Sequence, residues 1–149
     1  MPTESEPLPD QTVSGAGFEE VEHTADWALR VHGSDLRVLL INAARGMNHL
    51  LVADPARIPQ SIEVRFELEA YDVESLLVTW LNELAFRAEV EGLVFTEFKL
   101  TNVSSTSLQA VVRGDTVVHL QKHIKAVTFH ELEIVKTEDG LAATIVFDV

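Results

Sequence analysis

A chain of 149 residues with 46% hydrophobic content is long enough to bury the core of one ordinary globular domain. It has no cysteine, which excludes disulfides, thiolate metal sites and cysteine nucleophiles and fits a reducing cytoplasm. Its formal net charge of −13 disfavours a direct grip on a phosphate backbone and suits a cation binder or the partner of a basic protein, with plain solubility an equally good account.

Residues 1–17 hold three of the five prolines, two glycines and several small polar residues, and are expected to form a flexible N-terminal tail. The tail lacks the basic start and apolar block of a secretory signal. No later run is apolar for the length of a membrane span, so no membrane association is expected. The domain body is expected to run from Phe18 to Val149. Trp27, Leu29 and Val31 alternate with Ala28, Arg30 and His32, a strand pattern that Asp26 opens. Gly33 turns the chain and Ser34 is the expected cap of a first helix, whose apolar stripe is Leu36, Leu39, Leu40, Ala43, Met47, Leu50 and Leu51. Asp54-Pro55 and Pro59 end it.

Ile62, Val64, Phe66 and Leu68 then alternate with charged residues as a strand with one wet face. Asp72 is the expected N-cap of a second helix with Leu76, Leu77, Trp80, Leu81, Leu84 and Ala88 inward, and Gly92 its C-terminal stop. No helical pattern follows. β-rich stretches are expected near residues 93–103, 107–113, 116–120, 124–135 and 141–149, with tight turns at Gly114-Asp115 and Asp139-Gly140. Two helices and about seven strands argue for a single α+β domain, helices packed on a largely antiparallel sheet.

Few residues carry a specific chemical signal. Asp26 and Asp148 stand near opposite ends of the body, each at the end of an expected strand. If those strands pair, the two carboxylates and an oxygen of Val149 form a hard-ligand set suited to calcium, magnesium or manganese. Two solvated aspartates at strand ends fit the spacing as well. His119 and His123 have zinc-ligand spacing only on a helix, and their neighbours look like strand and turn. There is no Gly-x-Ser-x-Gly elbow and no glycine-rich phosphate loop. Lys122, Lys125, His119, His123 and His130 make one locally basic stretch on an acidic body, suited to phosphate, to an acidic partner loop or to solvent alone.

Five segments in order carry a family resemblance. Glu22-His23-Thr24-Ala25-Asp26 resembles the [D/E]HTAD opening of the archease family. Asn42-Ala43-Ala44-Arg45-Gly46-Met47 is similar to its first-helix segment, and the run from Asp72 to Leu84 to its second-helix signature. Lys125-Ala126-Val127-Thr128-Phe129-His130 resembles its KAVTYH strand, and Phe147-Asp148-Val149 its FD[VI] terminus. Trp27 stands where the family usually has Ile, and Phe129 replaces the usual Tyr, losing a hydroxyl.

The resemblance implies a protein cofactor without catalysis of its own. Archeases assist the RtcB-type RNA ligase of tRNA splicing and RNA repair, speeding guanylation of the ligase and supporting multiple turnover. It also implies a bound divalent cation, most often calcium, with Asp26, Asp148 and the main-chain oxygen of Val149 as ligands. Lys125, with His23 and His130, is implied as contact with the partner. Two other functions compete. One is a metal-dependent hydrolase using Asp26 and Asp148 with His23 or His130 as base. The other is a general chaperone or binding module acting through exposed apolar surface.

Overall fold

The computed structural model describes residues 17–23 and 26–149, so the expected tail over residues 1–17 lies outside the described residues apart from Gly17. In chain order the elements are β1 (Phe18–His23), β2 (Asp26–Gly33), α1 (Leu36–Leu51), a 3₁₀ turn (Pro55–Arg57), β3 (Ile62–Glu69), α2 (Val73–Glu91), β4 (Leu93–Thr101), β5 (Ser107–Thr116), β6 (Ala126–Thr128), β7 (Val135–Thr137) and β8 (Gly140–Asp148). The expected α+β architecture is therefore present. Among the described residues there are eight strands, close to the seven or so expected, and they form two antiparallel sheets. The larger runs β1-β2-β8-β6 with β7 also on β8; the smaller runs β3-β5-β4.

The helices form for local reasons that the sequence states. Asp35, not Ser34, caps α1, its carboxylate accepting the Val38 N–H at 2.9 Å. Asp72 caps α2 as expected, accepting the Ser75 N–H at 2.8 Å. Gly92 ends α2 at φ +66°, a left-handed geometry natural to glycine.

The helices and both sheets share one core. Trp80, fully buried on α2, donates its indole N–H to the Leu40 carbonyl of α1 at 2.9 Å. Its ring meets Phe98 edge-on at 6.0 Å and lies 6.0 Å from Phe66, so one side chain joins both helices to the smaller sheet. Leu29, Val31, Ile145 and Phe147 fill the core from the larger sheet, each fully buried.

Three expected segments come out differently. Gly114-Asp115 is no turn: Gly114 lies inside β5, facing Phe95. A Cβ there would run into the Val94 carbonyl and come within 2.6 Å of the Phe95 Cα, so glycine serves close strand approach. Thr116 ends β5, and residues 117–125 form no strand. Their backbone bonds elsewhere: Val117 N–H to Gly92 O at 2.8 Å and Gln121 N–H to Leu51 O at 2.7 Å. The stretch 124–135 pairs only over Ala126–Thr128 and at Val135, with a turn between that puts Glu131 at φ +53°. The Asp139-Gly140 hairpin is present, with Thr137 opposite Gly140.

Candidate functional site

The end of the larger sheet where β2 begins and β8 finishes holds most of the candidate residues. Trp27 of β2 faces Phe147 of β8, and the register holds without a slip to Gly33 opposite Leu141. One step outward from the Trp27–Phe147 pair stand Asp26 and Asp148. On the far side of β8, Ala126 faces Asp148. On the far side of β2, His23 faces Asp26. Positions 23 and 26 on one side and 148 and 126 on the other thus continue the sheet one step past the Trp27–Phe147 pair, as a row through β1, β2, β8 and β6.

The row is braced at its β6 end. The Lys125 N–H donates to the Asp148 carbonyl at 2.7 Å. Val127, on the edge strand, donates its N–H to the Asn82 Oδ1 of α2 at 2.9 Å. A strand edge that would otherwise face solvent is so tied to the helix beside it. Further along, Glu74 of α2 accepts the Ile134 N–H at 3.0 Å. Two polar side chains two helical turns apart therefore hold the segment that carries Lys125 and His130. Sequence reading missed Asn82; the available signal was an amide among Trp80, Leu81 and Leu84 on an otherwise apolar helix face. The Lys122 ammonium lies 3.9 Å from the centre of the Trp27 ring, a cation–π contact next to position 26.

Asp148 is exposed and Val149 half-buried against the core. Lys125 is exposed at the same sheet end as Asp148. His130 lies elsewhere: β6 runs from Ala126 opposite Asp148 to Thr128 opposite Val146, so the chain is leaving that end. The His130 ring is 3.5 Å from the Glu131 carboxylate. The His119/His123 pair is not on a helix, and the His123 ring contacts Glu89 at 3.1 Å. Among the described residues no three His, Asp or Glu side chains gather as a metal-binding group. A cation at the row would draw on Asp26, Asp148 and main-chain oxygens, all hard donors, a set that fits calcium, magnesium or manganese better than zinc.

The geometry matches a known family. The sequence profile of the Archease protein family (MTH1598/TM1083) matches residues 18–149. The chain belongs to the archease family. The protein archease of Methanosarcina barkeri is 34% identical over 143 residues, covering 91% of this chain and 97% of its own. That of Methanopyrus kandleri is 33% identical over 139 residues, covering 89% and 99%. The solution structure of Methanobacterium thermoautotrophicum protein 1598 superposes with a TM-score of 0.76 at 30% identity, over 90% of this chain and 99% of that one. A Thermotoga maritima archease, described as a possible chaperone, superposes with a TM-score of 0.65 over 87% of this chain and 94% of its own; at 22% identity it supports the fold alone. The family resemblance drawn from the five segments is thereby borne out. Among the described residues no helix is long and apolar enough to cross a membrane.

Proposed function

We propose that this chain is a non-catalytic protein cofactor that activates an RtcB-type RNA ligase, promoting guanylation of the ligase and multiple turnover in tRNA splicing and RNA repair. The observation that supports the proposal is the β2–β8 register, whose last pair, Trp27 opposite Phe147, leaves positions 26 and 148 as the next residues at one sheet end in a chain of the archease family. A divalent cation held there by Asp26, Asp148 and a main-chain oxygen of Val149 would supply a fixed positive charge to a partner's acidic or phosphate groups.

The chain's own residues account for the rest. Lys125 is held at the site through its backbone, with an exposed side chain available to the partner. A net charge of −13 favours steered approach to a basic, RNA-binding cleft and opposes direct capture of RNA. The test is to mix the purified chain with the ligase, GTP and manganese and follow guanylate transfer. Acceleration by the wild type, lost in Asp26→Asn and Asp148→Asn variants that melt normally, is the expected result. Unchanged stimulation by folded variants would sink the role of the aspartates; no stimulation by the wild type would sink the activator reading.

The chaperone reading has its own support, because Phe86, Val118 and Phe129 are large apolar side chains left exposed. Suppression of aggregation of unrelated unfolded proteins, without stimulation of the ligase, would favour it.

A further inference from the structure

A second site lies away from the aspartate row, where β1, α1, the 3₁₀ turn and β4 border an open cavity of about 370 Å³. Phe18, Arg45, Asn48, His49 and Thr96 line it, with Pro55 closing one side. The volume is in the range of small-molecule sites. In a chain carrying 24 acidic residues, none of the lining side chains among the described residues is a carboxylate. Two are bases.

Arg45 is exposed at the cavity and has no ion pair or hydrogen bond among the described residues. Arg57, Arg65, Arg87 and Arg113 each lie against a glutamate or aspartate, whereas Arg30 and Arg37, like Arg45, make no ion pair among the described residues, and of these three only Arg45 lines this cavity. An arginine fork facing a cavity without a carboxylate is a donor set for an incoming oxyanion.

The opposite wall is built by an irregularity in the smaller sheet. Phe95 faces Gly114 and Glu97 faces Arg113, so the register skips Thr96. Such a bulge re-aims the extra side chain, and Thr96 is directed to the cavity lining. The bulge is pinned by Asn48, only 5% exposed, whose Nδ2 donates to the Phe95 carbonyl at 2.6 Å. That bond uses one amide hydrogen. The second, and the Oδ1, have no partner among the described residues, which for a buried amide calls for a ligand or water. The Thr96 hydroxyl is held only by a long contact of 3.4 Å from Gln60.

The C-terminal end of α1 would normally repel an anion. Here its carbonyls are already engaged: Leu51 O by the Gln121 N–H at 2.7 Å, Asn48 O by the Val52 N–H at 3.0 Å, and His49 O by the Gln121 amide at 3.4 Å. The remaining wall is aromatic, with the Phe18 and His49 rings 5.0 Å apart and tilted by 41°.

We infer that this cavity binds a small organic oxyanion, a phosphate or carboxylate on a planar apolar body. Arg45, the free Asn48 amide hydrogen and the Thr96 hydroxyl receive the oxygens, and Phe18 with His49 covers the ring. The inference is independent of the ligase role.

Amide NMR of the full chain, titrated separately with phenyl phosphate, benzoate and inorganic phosphate, tests it. Saturable shifts at Asn48, His49 and Thr96 with at least one aromatic oxyanion are expected, and the better probe identifies the head group. Arg45→Gln, an exposed and therefore fold-neutral change, weakens that binding by about tenfold or more, and Thr96→Val weakens it less. The inference is overturned if no probe saturates by about 10 mM. It is also overturned if Arg45→Gln binds as well as wild type, or if inorganic phosphate binds as tightly as the aromatic probes.

Discussion

Directly opposed carboxylates on neighbouring antiparallel strands repel unless a cation lies between them. Continued one step past the Trp27–Phe147 pair, the register would bring positions 26 and 148 into that relation. Directly opposed positions have Cβ atoms about 5 Å apart. Two unit charges at that distance repel by about 1 kcal/mol in water and about 3 kcal/mol at an effective dielectric near 20. Asp148 is exposed, so the lower figure applies, and salt screens it further. Asp148→Asn in the presence of a chelator is therefore expected to leave stability unchanged or raise it by up to about 1 kcal/mol. In a domain of this size that is a rise in Tm of about 2–4 °C. Adding calcium to about a hundred times its Kd should stabilise the wild type by about 2.7 kcal/mol. The variant should gain much less, having lost one of the two charges. Melting curves of both proteins, with chelator and with millimolar calcium, magnesium or manganese, make the comparison. Equal gains in the two proteins would refute the shared site, as would a wild type indifferent to all three ions.

Gly114→Ala should destabilise by about 1–3 kcal/mol or more, since the new methyl meets the Val94 and Phe95 backbone rather than a movable side chain. A urea midpoint within error of wild type would show that β4 can shift to admit it. Asn82→Ala strands the Val127 N–H, at about 1–3 kcal/mol for a buried donor and towards the lower end here because the site is only part-buried. Asn82→Asp keeps an acceptor and should lose less, and hydrogen exchange at Val127 distinguishes the two. Asp115 is held below the ordinary carboxylate value of 3.8 by the Ser61 hydroxyl and then by the Thr116 N–H; Asp72 is lowered by the Ser75 hydroxyl and then its N–H. Both groups bind their proton less readily folded than unfolded. Their contribution is thus complete above pH 3.8 and is lost as pH falls below it through the folded values. The double variant Asp72→Asn/Asp115→Asn should lose less stability than wild type between pH 5 and pH 2.5, measured by urea unfolding; parallel losses would contradict the assignment.

Most of the fold was legible because its elements announce themselves locally. The α1 stripe, the Asp72 cap, the Gly92 stop, the alternation from Ile62 to Leu68 and the Asp139-Gly140 turn each depend on neighbours a few residues away, and each was read with the right type. The misreadings share another cause. Gly114 looks like a turn residue until β4 is seen pressed against it, a contact 20 residues distant in sequence. Residues 117–120 have strand composition but lie in no strand, and the Val117 N–H bonds to the Gly92 carbonyl at the end of α2 instead of to a neighbouring strand. The choice of Ser34 over Asp35 was a choice between two competent caps one residue apart, which composition does not decide. For the site, the spacing of Asp26 and Asp148 left their meeting open. The family resemblance pointed to it, and the Trp27–Phe147 pair brings the two strand ends to the same end of the sheet. The Asn82 tie and the Thr96 bulge were out of reach, because each needs a partner strand to give it meaning.

The placement of β8 has a consequence for how the aspartate row works. β8 pairs with β2, β6 and β7, so it is the strand on which the larger sheet is assembled. Position 148 sits on this hub and position 26 on a strand 122 residues earlier in numbering, joined to it only by the ladder from Trp27 to Gly33. Local helix formation cannot bring them together; closing a loop of that length must come first. A cation bound across the row therefore binds the complete sheet and not any fragment that forms on the way. Its binding energy stabilises the whole domain against unfolding and does not merely order one strand end. Destabilising changes far from the row divide on the same ground. Those that open the whole domain, such as a loss of Trp80 packing, weaken apparent cation affinity only when the unfolded fraction becomes appreciable. Those that free β6 from α2, as Asn82→Ala does, leave the β2–β8 ladder intact. They should alter the presentation of Lys125 while cation affinity is retained. A parallel fall in cation affinity and ligase stimulation in Asn82→Ala would show that β6 belongs to the cation site itself, not only to the surface offered to the partner.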